Sequence, residues 1–420
     1  MKILFLTDNF PPEVNAPATR TFEHCREWVK QGAEVTVLTC FPNYPTGTAF
    51  PGYKNQLYKV EYVAGIKVVR LWSYMTANQG FLKRVLDYIS FAFMAFWAGL
   101  FIKTDIIVAT SPQFFTALAG GALGLFKRIP WIFEVRDLWP ESIRAVEAMR
   151  TQRILDGLEK LELLLYRKAT CVVVVTDAFK DNLIRRGIKA DKIEVIKNGV
   201  MLDIYKPQYK NKQLLDKHGL RDKFVVAYMG THGMAHKLDF LIDSASKIKD
   251  PSVQLIFIGD GAEKAKLVKK IEEKNLPNIT MLDSVTKAEM VDYISITDVA
   301  LVNLKKSDTF KTVIPSKIFE NAAMRKPILL GVEGESQDIV EYYQAGLCFE
   351  PENEKDFIEK LMTLRTNAAL YADCQEGCTE LATDFDRIRL AHVFYKLMCR
   401  ITNTEIELPK KVEKRHAEVV

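Results

Sequence analysis

The sequence predicts an α/β protein of two doubly wound domains, each with a parallel sheet covered by helices on both faces. Its 420 residues exceed what one ordinary core accommodates. Short apolar runs alternate with stretches of helical spacing, and this alternation restarts near residue 207. The composition, 48% hydrophobic and 26% charged, is that of a globular protein. Two successive folding units are therefore the simplest interpretation.

The first half of the chain contains six apolar runs of strand length. They are mainly apolar, which is typical of strands buried on both faces of a parallel sheet. The stretch 19–32 between the first two runs has helical spacing and ends at Gly32, a residue suited to a helix C-terminus. The predicted strands are 2–7, 34–39, 66–71, 105–110, 130–135 and 171–176.

The second half repeats the pattern with five further runs. We expect an N-terminal domain over 1–200, a second domain over 201–386, a helix at about 387–403 that packs back on the first domain, and a tail over 406–420. Doubly wound sheets bind ligands at the carboxyl ends of their strands, so we expect an active site in a cleft between the two sheets. The predicted strands are 224–230, 253–261, 278–282, 298–304 and 326–332.

The charge distribution and the cysteine content indicate which binding partners and which cellular compartment to expect. Lysine and arginine exceed aspartate and glutamate by six up to Tyr205, so the first half carries the whole positive excess. This favours an anionic partner such as a phospholipid or a diphosphate, with a chance imbalance as the alternative. No dense basic stripe with aromatics indicates nucleic acid. Seven cysteines without metal-type pairing, and a start without a signal peptide, predict a cytoplasmic protein.

The segment 88–102 is apolar apart from one serine and carries no charge. It is shorter than the roughly 20 residues that a membrane-spanning helix needs. Lys83, Arg84 and Lys103 flank it, as basic residues do when a helix lies in the membrane interface. We therefore expect membrane contact through 81–103. The alternative is a helix buried against the sheet or a neighbouring subunit.

Two loops that follow predicted strands could approach a phosphate. The loop 9–20 contains the small residues Asn15 and Ala16, with Arg20 about one turn into the next helix. In the second half, Gly230 and Gly233 follow a strand and Lys237 lies just beyond. That spacing departs from the dinucleotide-binding glycine fingerprint, so hydride transfer is not supported.

The segment 307–336 has the most specific pattern. Pro315 can begin a helix, Ser316 and Lys317 fall in its first turn, and Glu320 lies one turn later. A hydroxyl and an ammonium suit a diphosphate, and a carboxylate suits the paired hydroxyls of a ribose. The alternative is a capped amphipathic helix with surface charges.

Several blocks spread over nearly the whole chain carry a resemblance to a known family: KILFLTDNFPPEVNAPATR (2–20), FEVRDLWPES (133–142), VIKNGV (195–200), YMGTHG (228–233), GDG (259–261) and IPSKIFENAAMRKPIL (314–329). Taken together, they make the sequence similar to the family 4 retaining glycosyltransferases of the GT-B fold, which has two Rossmann-like domains. Three segments, FEVRDLWPES, THGMAH and VIPSKIFE, resemble the subgroup that adds amino sugars such as N-acetylfucosamine or N-acetylhexosamine to lipid-linked O-antigen or capsule precursors.

This resemblance implies roles for several residues. Glu320 matches the second glutamate of the family's E-x7-E pattern, which binds the nucleotide ribose. The first glutamate is replaced by Thr312, so Thr312 or backbone N–H groups as far as Ile314 would contact the sugar. Lys237 resembles the diphosphate-binding lysine, and Ser316 and Lys317 would share that task.

Two departures from the family accompany these matches. Thr231 stands where an arginine often follows the glycine, and Asn15-Ala16 stand where many relatives have Gly-Gly.

The resemblance also implies the reaction. A sugar would pass from a nucleotide diphosphate donor, expected to be UDP, to a polyprenyl diphosphate-linked glycan, with no metal and no cofactor. Asp137 and Glu141, in the loop after a first-domain strand, are the candidate catalytic carboxylates. The D-x-D sequence of Asp384 and Asp386 is expected to cap the last helix, and His24 is expected to pack in the core.

Two other functions stay open at this point. One is a sugar-nucleotide 2-epimerase of the same fold, against which the apolar segment 88–102 argues. The other is a non-catalytic, membrane-associated partner of a polysaccharide assembly complex, which Thr312 favours and the presence of Lys317 and Glu320 disfavours.

Overall fold

The structure, a computed structural model, describes residues 1–76, 81–111, 113–138 and 152–405. It divides into two compact units. Unit 1 comprises 1–175, 180–196 and 391–420, and unit 2 comprises 176–179 and 197–390. Each unit contains one sheet with helices packed against it, so the predicted architecture of two doubly wound α/β domains is confirmed.

Unit 1 contains an eight-stranded sheet. The strands are β1 (Lys2–Leu6), β2 (Glu34–Cys40), β3 (Tyr58–Val63), β4 (Ile66–Leu71), β5 (Ile106–Thr110), β6 (Trp131–Val135), β7 (Cys171–Val174) and β8 (Ile193–Val195). The helices are α1 (Ala16–Lys30), α2 (Phe81–Leu100), α3 (Phe114–Lys127), α4 (Gln152–Lys168) and α5 (Asp177–Arg185), of which residues 177–179 belong to unit 2. Helices follow β1 and each of the strands from β4 to β7 as the structure describes them, and the central strands β5 and β6 are buried on both faces.

The strand order in unit 1 is β3-β4-β2-β1-β5-β6-β7-β8. The chain builds outward from β1 on one side and from β5 on the other, so β1 and β5 flank the topological switch point. In register, Ile3 pairs with Val35 of β2 and with Ile106 of β5. Doubly wound sheets bind ligands outside the carboxyl ends of the strands at this point. In unit 1 those ends lead to residues 7–15 and 111–113.

Two strands of unit 1 were missed by the sequence patterns. The edge strand β3 runs antiparallel to β4 and alternates exposed and half-buried residues, in contrast to the apolar runs used for prediction. The strand β8 has only three residues and pairs with β7.

Unit 2 contains a six-stranded, all-parallel sheet in the order β11-β10-β9-β12-β13-β14, with its switch point between β9 and β12. Apolar clusters cover both faces of this sheet. Its strands are β9 (Phe224–Met229), β10 (Val253–Ile258), β11 (Ile279–Leu282), β12 (Val299–Asn303), β13 (Ile328–Gly331) and β14 (Gly346–Cys348), the last of which was not predicted. Its helices are α6 (Lys212–Lys217), α7 (Leu238–Ala245), α8 (Lys264–Lys274), α9 (Lys287–Ile296), α10 (Lys317–Ala323), α11 (Glu335–Tyr342), α12 (Glu354–Thr366) and α13 (Ala368–Asp384).

The last helix, α14 (Arg387–Thr402), belongs to unit 1 from Ala391 onward. Trp28 of α1 donates its indole N–H to Ala391 O at 2.9 Å and packs edge-on against Phe394. His24 is buried against the same two aromatic rings, so it packs in the core as predicted. Asp386 also caps α14 as predicted, accepting the N–H of Ile388 at 3.2 Å.

The apolar segment 88–102 forms most of α2. Phe91 and Ala95 are buried beneath the helix, whereas Phe93 and Trp97 face outward. Through the part of the chain that the structure describes, no helix combines the length and apolarity needed to cross a membrane.

Candidate active site

The turn after β9 brings a lysine into contact with a glycine. Gly230 has φ +141°, a conformation that L side chains rarely adopt, and a Cβ there would lie 2.5 Å from both Cε and Nζ of Lys317. The backbone conformation thus favours glycine at position 230, and a side chain there would also have to displace the ammonium end of Lys317. The structure thus brings together two residues that the sequence analysis placed in separate motifs.

Lys317 lies at the start of α10 without a carboxylate in hydrogen-bond contact in the described structure. Its Nζ donates to Tyr228 Oη at 2.9 Å and lies 4.1 Å from the centroid of the Tyr228 ring. Burial lowers the pKa of Lys317 to about 8, and Glu320 one turn later opposes that shift. A partly desolvated ammonium with only neutral neighbours in contact is suited to bind an anion.

Two histidines complete this cluster. His232 is fully buried, and neither of its ring nitrogens has a hydrogen-bond partner among the described residues. Nδ1 of His236 likewise has no hydrogen-bond partner among the described residues. Burial lowers the pKa of both rings to about 4, with smaller contributions from Lys264 at His232 and Lys317 at His236. Buried nitrogens without partners cost free energy unless a ligand satisfies them.

A second glycine turn, after β10, holds His232 in place. A Cβ on Gly261 would lie 2.5 Å from His232 O, so only glycine allows the two turns to approach each other. His232 donates its N–H to Asp260 O at 2.8 Å and accepts the N–H of Glu263 at 2.9 Å. The position of His232 is thus fixed by backbone contacts on both sides.

The cluster lies at the switch point of the unit 2 sheet. Asn303 ends β12 and donates its side-chain N–H to His236 O at 2.8 Å, while Lys305 N–H binds Ala235 O at 2.9 Å. The segment after β9 is therefore tied to the end of β12. An ammonium beside one buried and one half-buried imidazole suits a ligand with several oxygens, such as a diphosphate.

The other residues predicted in segment 307–336 are close neighbours of Lys317 along the chain. Ser316 precedes α10, and Glu320 lies in its first turn. Thr312 ends a short 3-10 turn and donates its hydroxyl to Thr309 O at 3.1 Å. Ile314 is buried in the core of unit 2, so only its backbone is available to a ligand.

Lys237 is placed differently from Lys317. It adopts a left-handed backbone conformation, φ +48°, before α7, and its Nζ lies 3.3 Å from Asp239. With Gly233 and Lys266 it lines a cavity of about 230 Å³. The lysine packed on Gly230 is therefore Lys317, and phosphate binding by Lys237 stays a prediction.

The predicted residues of unit 1 have mainly structural contacts. Asn15 caps α1, which starts at Ala16, by accepting the N–H of Ala18 at 2.9 Å. Arg20 is buried in a two-point ion pair with Glu134, and Arg136, two residues further along the chain, lies 3.9 Å from that carboxylate. The guanidinium of Arg20 thus has a carboxylate partner, and its phosphate contact stays a prediction.

The two candidate catalytic carboxylates follow β6. Asp137 has its N–H 3.4 Å from Ser111 Oγ. Desolvation raises the pKa of its carboxyl, and Arg136 opposes this. Glu141 lies outside the described residues. The described ranges contain no group of three or more His, Cys, Asp or Glu side chains arranged to hold a metal ion.

Sequence analysis missed His232, His236, Tyr228 and Asn303 as site residues. The available signal was the pair of histidines four residues apart directly after the glycine turn. The strand pattern could not show that His232 is buried, because its burial depends on the second glycine turn at 259–261.

Two family matches cover most of the chain. Residues 15–199 match the glycosyl transferase 4-like domain, and residues 210–380 match the glycosyl transferases group 1 domain. The chain is a glycosyltransferase composed of these two domains.

This glycosyltransferase is also similar to curated proteins. It is 23% identical over 372 residues to WcaI of Escherichia coli, assigned to colanic acid biosynthesis, covering 84% of this chain and 89% of that one. It is 23% identical over 201 residues to TuaH of Bacillus subtilis, assigned to teichuronic acid biosynthesis, covering 47% of this chain and 49% of that one. It is 26% identical over 279 residues to alpha-monoglucosyldiacylglycerol synthase of Acholeplasma laidlawii, covering 63% and 68%.

Solved structures agree in fold. HepE of Anabaena in complex with UDP aligns with a TM-score of 0.71 at 16% identity, covering 95% of this chain and all of that one. The sucrose-phosphate synthase of Thermosynechococcus elongatus aligns with a TM-score of 0.73 at 14% identity, covering 96% and 99%.

Proposed function

We propose that this glycosyltransferase moves an N-acetylated amino sugar from a UDP-linked donor to a polyprenyl diphosphate-linked glycan during synthesis of a surface polysaccharide such as O-antigen or capsule. The part of this proposal that concerns the donor rests on the cluster of Lys317, His232 and His236 around the Gly230 turn. Ring nitrogens in this cluster have no hydrogen-bond partners among the described residues. The Anabaena protein of the same fold, whose structure contains UDP, supports a nucleotide diphosphate as the ligand.

In this proposal, the cluster stabilises the leaving group. As the bond between the sugar and the diphosphate breaks, negative charge grows on the phosphate oxygens. Lys317 is already positioned and partly desolvated, so its attraction for that charge is stronger than that of an ammonium in water. Glu320 would bind the ribose hydroxyls, and Thr312 would contact the sugar. We propose that these residues suffice without a metal or cofactor and that the configuration of the sugar is retained.

The acceptor half of the proposal rests on the exposed face of α2. Phe93 and Trp97 are 61% and 50% exposed, and Leu86 and Ile89 continue the same helix face toward the N-terminus. Phe126 of α3 extends this apolar face, because its ring contacts Phe96 at 5.4 Å. Large exposed apolar patches mark protein or membrane contacts. Lys83, Arg84 and Lys103 at its ends suit lipid phosphates.

The relatives favour this kind of acceptor. Two are assigned to cell-surface polysaccharides, and the name of the Acholeplasma relative describes a glycosylated diacylglycerol. We therefore propose a cytoplasmic enzyme that binds the inner face of the cell membrane. Asp137 and Glu141 are the carboxylates we propose to act on the acceptor hydroxyl.

The donor site is tested by thermal unfolding with UDP-, GDP-, dTDP- and ADP-sugars. A ligand at ~100 times its dissociation constant adds about 2.7 kcal/mol to the stability of its binding unit. We expect a rise in Tm with UDP-N-acetylhexosamines that is lost in Glu320→Ala. A chain that responds to none of these nucleotides would contradict the proposal, and conversion of the donor without acceptor would indicate an epimerase.

Membrane contact is tested by flotation with vesicles that contain anionic phospholipid. We expect the full chain to float and Phe93→Ser/Trp97→Ser to remain in the pellet fraction. Tyr209→Ser removes a fully exposed aromatic side chain in unit 2 and serves as the matched control. Equal flotation of all three proteins would show that α2 is not the membrane contact.

A further inference from the structure

The strand β3 forms one edge of the unit 1 sheet, and one of its faces is apolar and exposed. Among the described residues, the strand β4 is the only one that pairs with it, so the outer side of β3 carries backbone groups without a strand partner. Tyr58, Val60 and Tyr62 share a face of β3 and are 63%, 44% and 72% exposed. Exposed apolar edge strands readily pair with another chain unless they are protected.

The pairing of β3 with β4 determines which backbone groups point outward. Trp72 donates its N–H to Leu57 O at 3.1 Å, so these two residues form a hydrogen-bonded pair at one end of the antiparallel ladder. Hydrogen-bonded pairs alternate with non-hydrogen-bonded pairs in such a ladder. The odd-numbered residues of β3 therefore bond to β4. The N–H and C=O groups of Tyr58, Val60 and Tyr62 point away from the sheet.

The sequence of β3 is symmetric about Val60. Residues 58–62 read Tyr-Lys-Val-Glu-Tyr. If two copies of this strand pair antiparallel about Val60, Tyr58 of one copy lies opposite Tyr62 of the other, and Lys59 lies opposite Glu61. The outward backbone groups of the even-numbered residues then form the hydrogen-bonded pairs. Lys59 and Glu61 fall in the non-hydrogen-bonded pairs, where opposing side chains are closest.

The charges on β3 favour this register over its neighbours. Moving the two-fold axis by one residue toward the N-terminus places Lys59 opposite a second Lys59. Moving it by one residue toward the C-terminus places Glu61 opposite a second Glu61. Like charges directly opposite each other destabilise a strand pair, whereas opposite charges stabilise it. Both the hydrogen-bonding pattern and the charge pattern therefore select an axis through Val60.

Contacts within unit 1 hold the two charged side chains in position. Glu61 accepts hydrogen bonds from Arg70 Nε at 2.5 Å and from Tyr53 Oη at 3.4 Å. Lys59 Nζ lies 3.4 Å from Glu61 Oε2 and 4.7 Å from the centroid of the Tyr53 ring. Side chains that are already ordered lose less conformational entropy when a partner strand binds.

We propose that two copies of this chain associate through β3 into a dimer with two-fold symmetry, in which the two unit 1 sheets become one continuous sheet. The interface is isologous, because each subunit contributes the same strand to it. In the dimer, Lys59 lies opposite Glu61 of the partner subunit on both sides of the axis. The contact is short, so we expect the dimer to dissociate at roughly micromolar concentration. This inference does not depend on the proposed function.

Sedimentation velocity of the full chain measures the association. We expect the dimer fraction to rise between about 1 and 200 μM. Lys59→Glu should weaken dimerisation at least tenfold, because it brings carboxylates together on both sides of the axis. Val60→Pro should weaken it as well, since it removes an outward N–H and leaves the hydrogen bonds to β4 intact.

The matched control is Lys67→Glu. It makes the same change of charge on β4, which pairs with strands on both sides, so dimerisation should be unchanged. Circular dichroism shows whether each variant is folded. A chain that stays monomeric throughout this range, or equal dimerisation of Lys59→Glu and Lys67→Glu, overturns the proposal.

Cysteine cross-linking tests the register itself. In the proposed dimer the two Val60 Cα atoms lie about 5.5 Å apart, which is within disulfide range. The two Tyr62 Cα atoms lie four residues apart along the strands, at roughly 13 Å. Under mild oxidation, Val60→Cys should form a covalent dimer, whereas Tyr62→Cys and the unaltered chain, whose own cysteines are buried or half-buried, should not. Equal cross-linking at both positions overturns the pairing about Val60.

Discussion

Replacing Lys317 by methionine should stabilise the ligand-free protein and abolish its response to UDP. Burial holds the pKa of Lys317 at about 8 instead of 10.5. The Lys317 amine therefore binds its proton more tightly in the unfolded chain than in the folded one. At pH 7 the charged lysine lowers the free energy of unfolding, and this destabilisation disappears as the pH rises from 8 toward 10.5. The shift corresponds to about 3 kcal/mol.

Part of that gain is lost with the contacts of the ammonium group. Its hydrogen bond to Tyr228 contributes about 1 kcal/mol and its position over the ring a similar amount. Tyr228 Oη still donates to Thr231 O in the variant, so no new buried donor is left without a partner. A net stabilisation of about 1 kcal/mol remains, which raises Tm by roughly 2–4 °C for a unit of this size.

Differential scanning calorimetry with and without UDP measures both effects. The matched control is Lys326→Met, because burial also lowers the pKa of Lys326 to about 8 while its Nζ binds Ser295 O at 2.9 Å. The control should keep the UDP response. A lower Tm of Lys317→Met without ligand, or an undiminished rise with UDP, would refute the assignment of Lys317 as a strained anion-binding group.

Three further predictions concern the two units. Isothermal titration should show that UDP affinity falls as the pH rises above about 8, because Lys317 must be charged to bind the diphosphate and loses its proton there. Gly230→Ala should weaken UDP binding at least tenfold in the same assay, since its Cβ displaces the ammonium group; unchanged affinity would mean that Lys317 can move freely. Arg20→Gln should lower the free energy of unfolding by about 3–5 kcal/mol, because it leaves the buried Glu134 without its counter-charge. In urea denaturation Arg20→Gln/Glu134→Gln should recover much of that loss, and equal instability of the single and double variants would argue against a coupled pair.

The Arg20–Glu134 pair also predicts acid sensitivity. Although burial raises the pKa of Glu134, Arg20 outweighs it and holds that pKa at about 2. A carboxyl with a lowered pKa stabilises the fold above its ordinary value, and this contribution is lost as the pH falls from 4.5 toward 2. The same observation explains why Arg20 could not be interpreted from sequence: its place in the first helix after the phosphate-like loop was visible, but its partner lies 114 residues away on β6.

The central strands were predictable because burial on both faces leaves a simple signature. β4 and the buried runs of β9 and β12 were found with ends that differ from the structure by at most one residue. β3, β8 and β14 were not found, because an edge strand with alternating exposure or only three residues lacks a continuous apolar run. Local composition therefore predicts the interior of a doubly wound sheet better than its edges.

The donor cluster was predictable only in part for a related reason. Lys317 and Glu320 were chosen from spacing within one helix, which is local information. The contact between Lys317 and Gly230 joins the first residue of α10 to the turn after β9, far away in sequence, and the burial of His232 requires the close approach of a second glycine turn. Such contacts are consequences of tertiary packing, so the two histidines were left out although their sequence block was noted.

The two polar clusters share one physical logic. Each lies at the switch point of its own sheet, β9/β12 in unit 2 and β1/β5 in unit 1, where loops diverge and leave room for a ligand. The unit 2 cluster brings the ammonium group of Lys317 close to two imidazoles, whereas the unit 1 cavity beside Asp8, Asp87 and Gln113 is rich in carboxylate and amide groups. Buried polar groups of either kind cost stability unless complementary groups satisfy them. The proposed donor is an anion and the proposed acceptor carries hydroxyl groups, so the two proposed ligands differ in chemistry as the two clusters do.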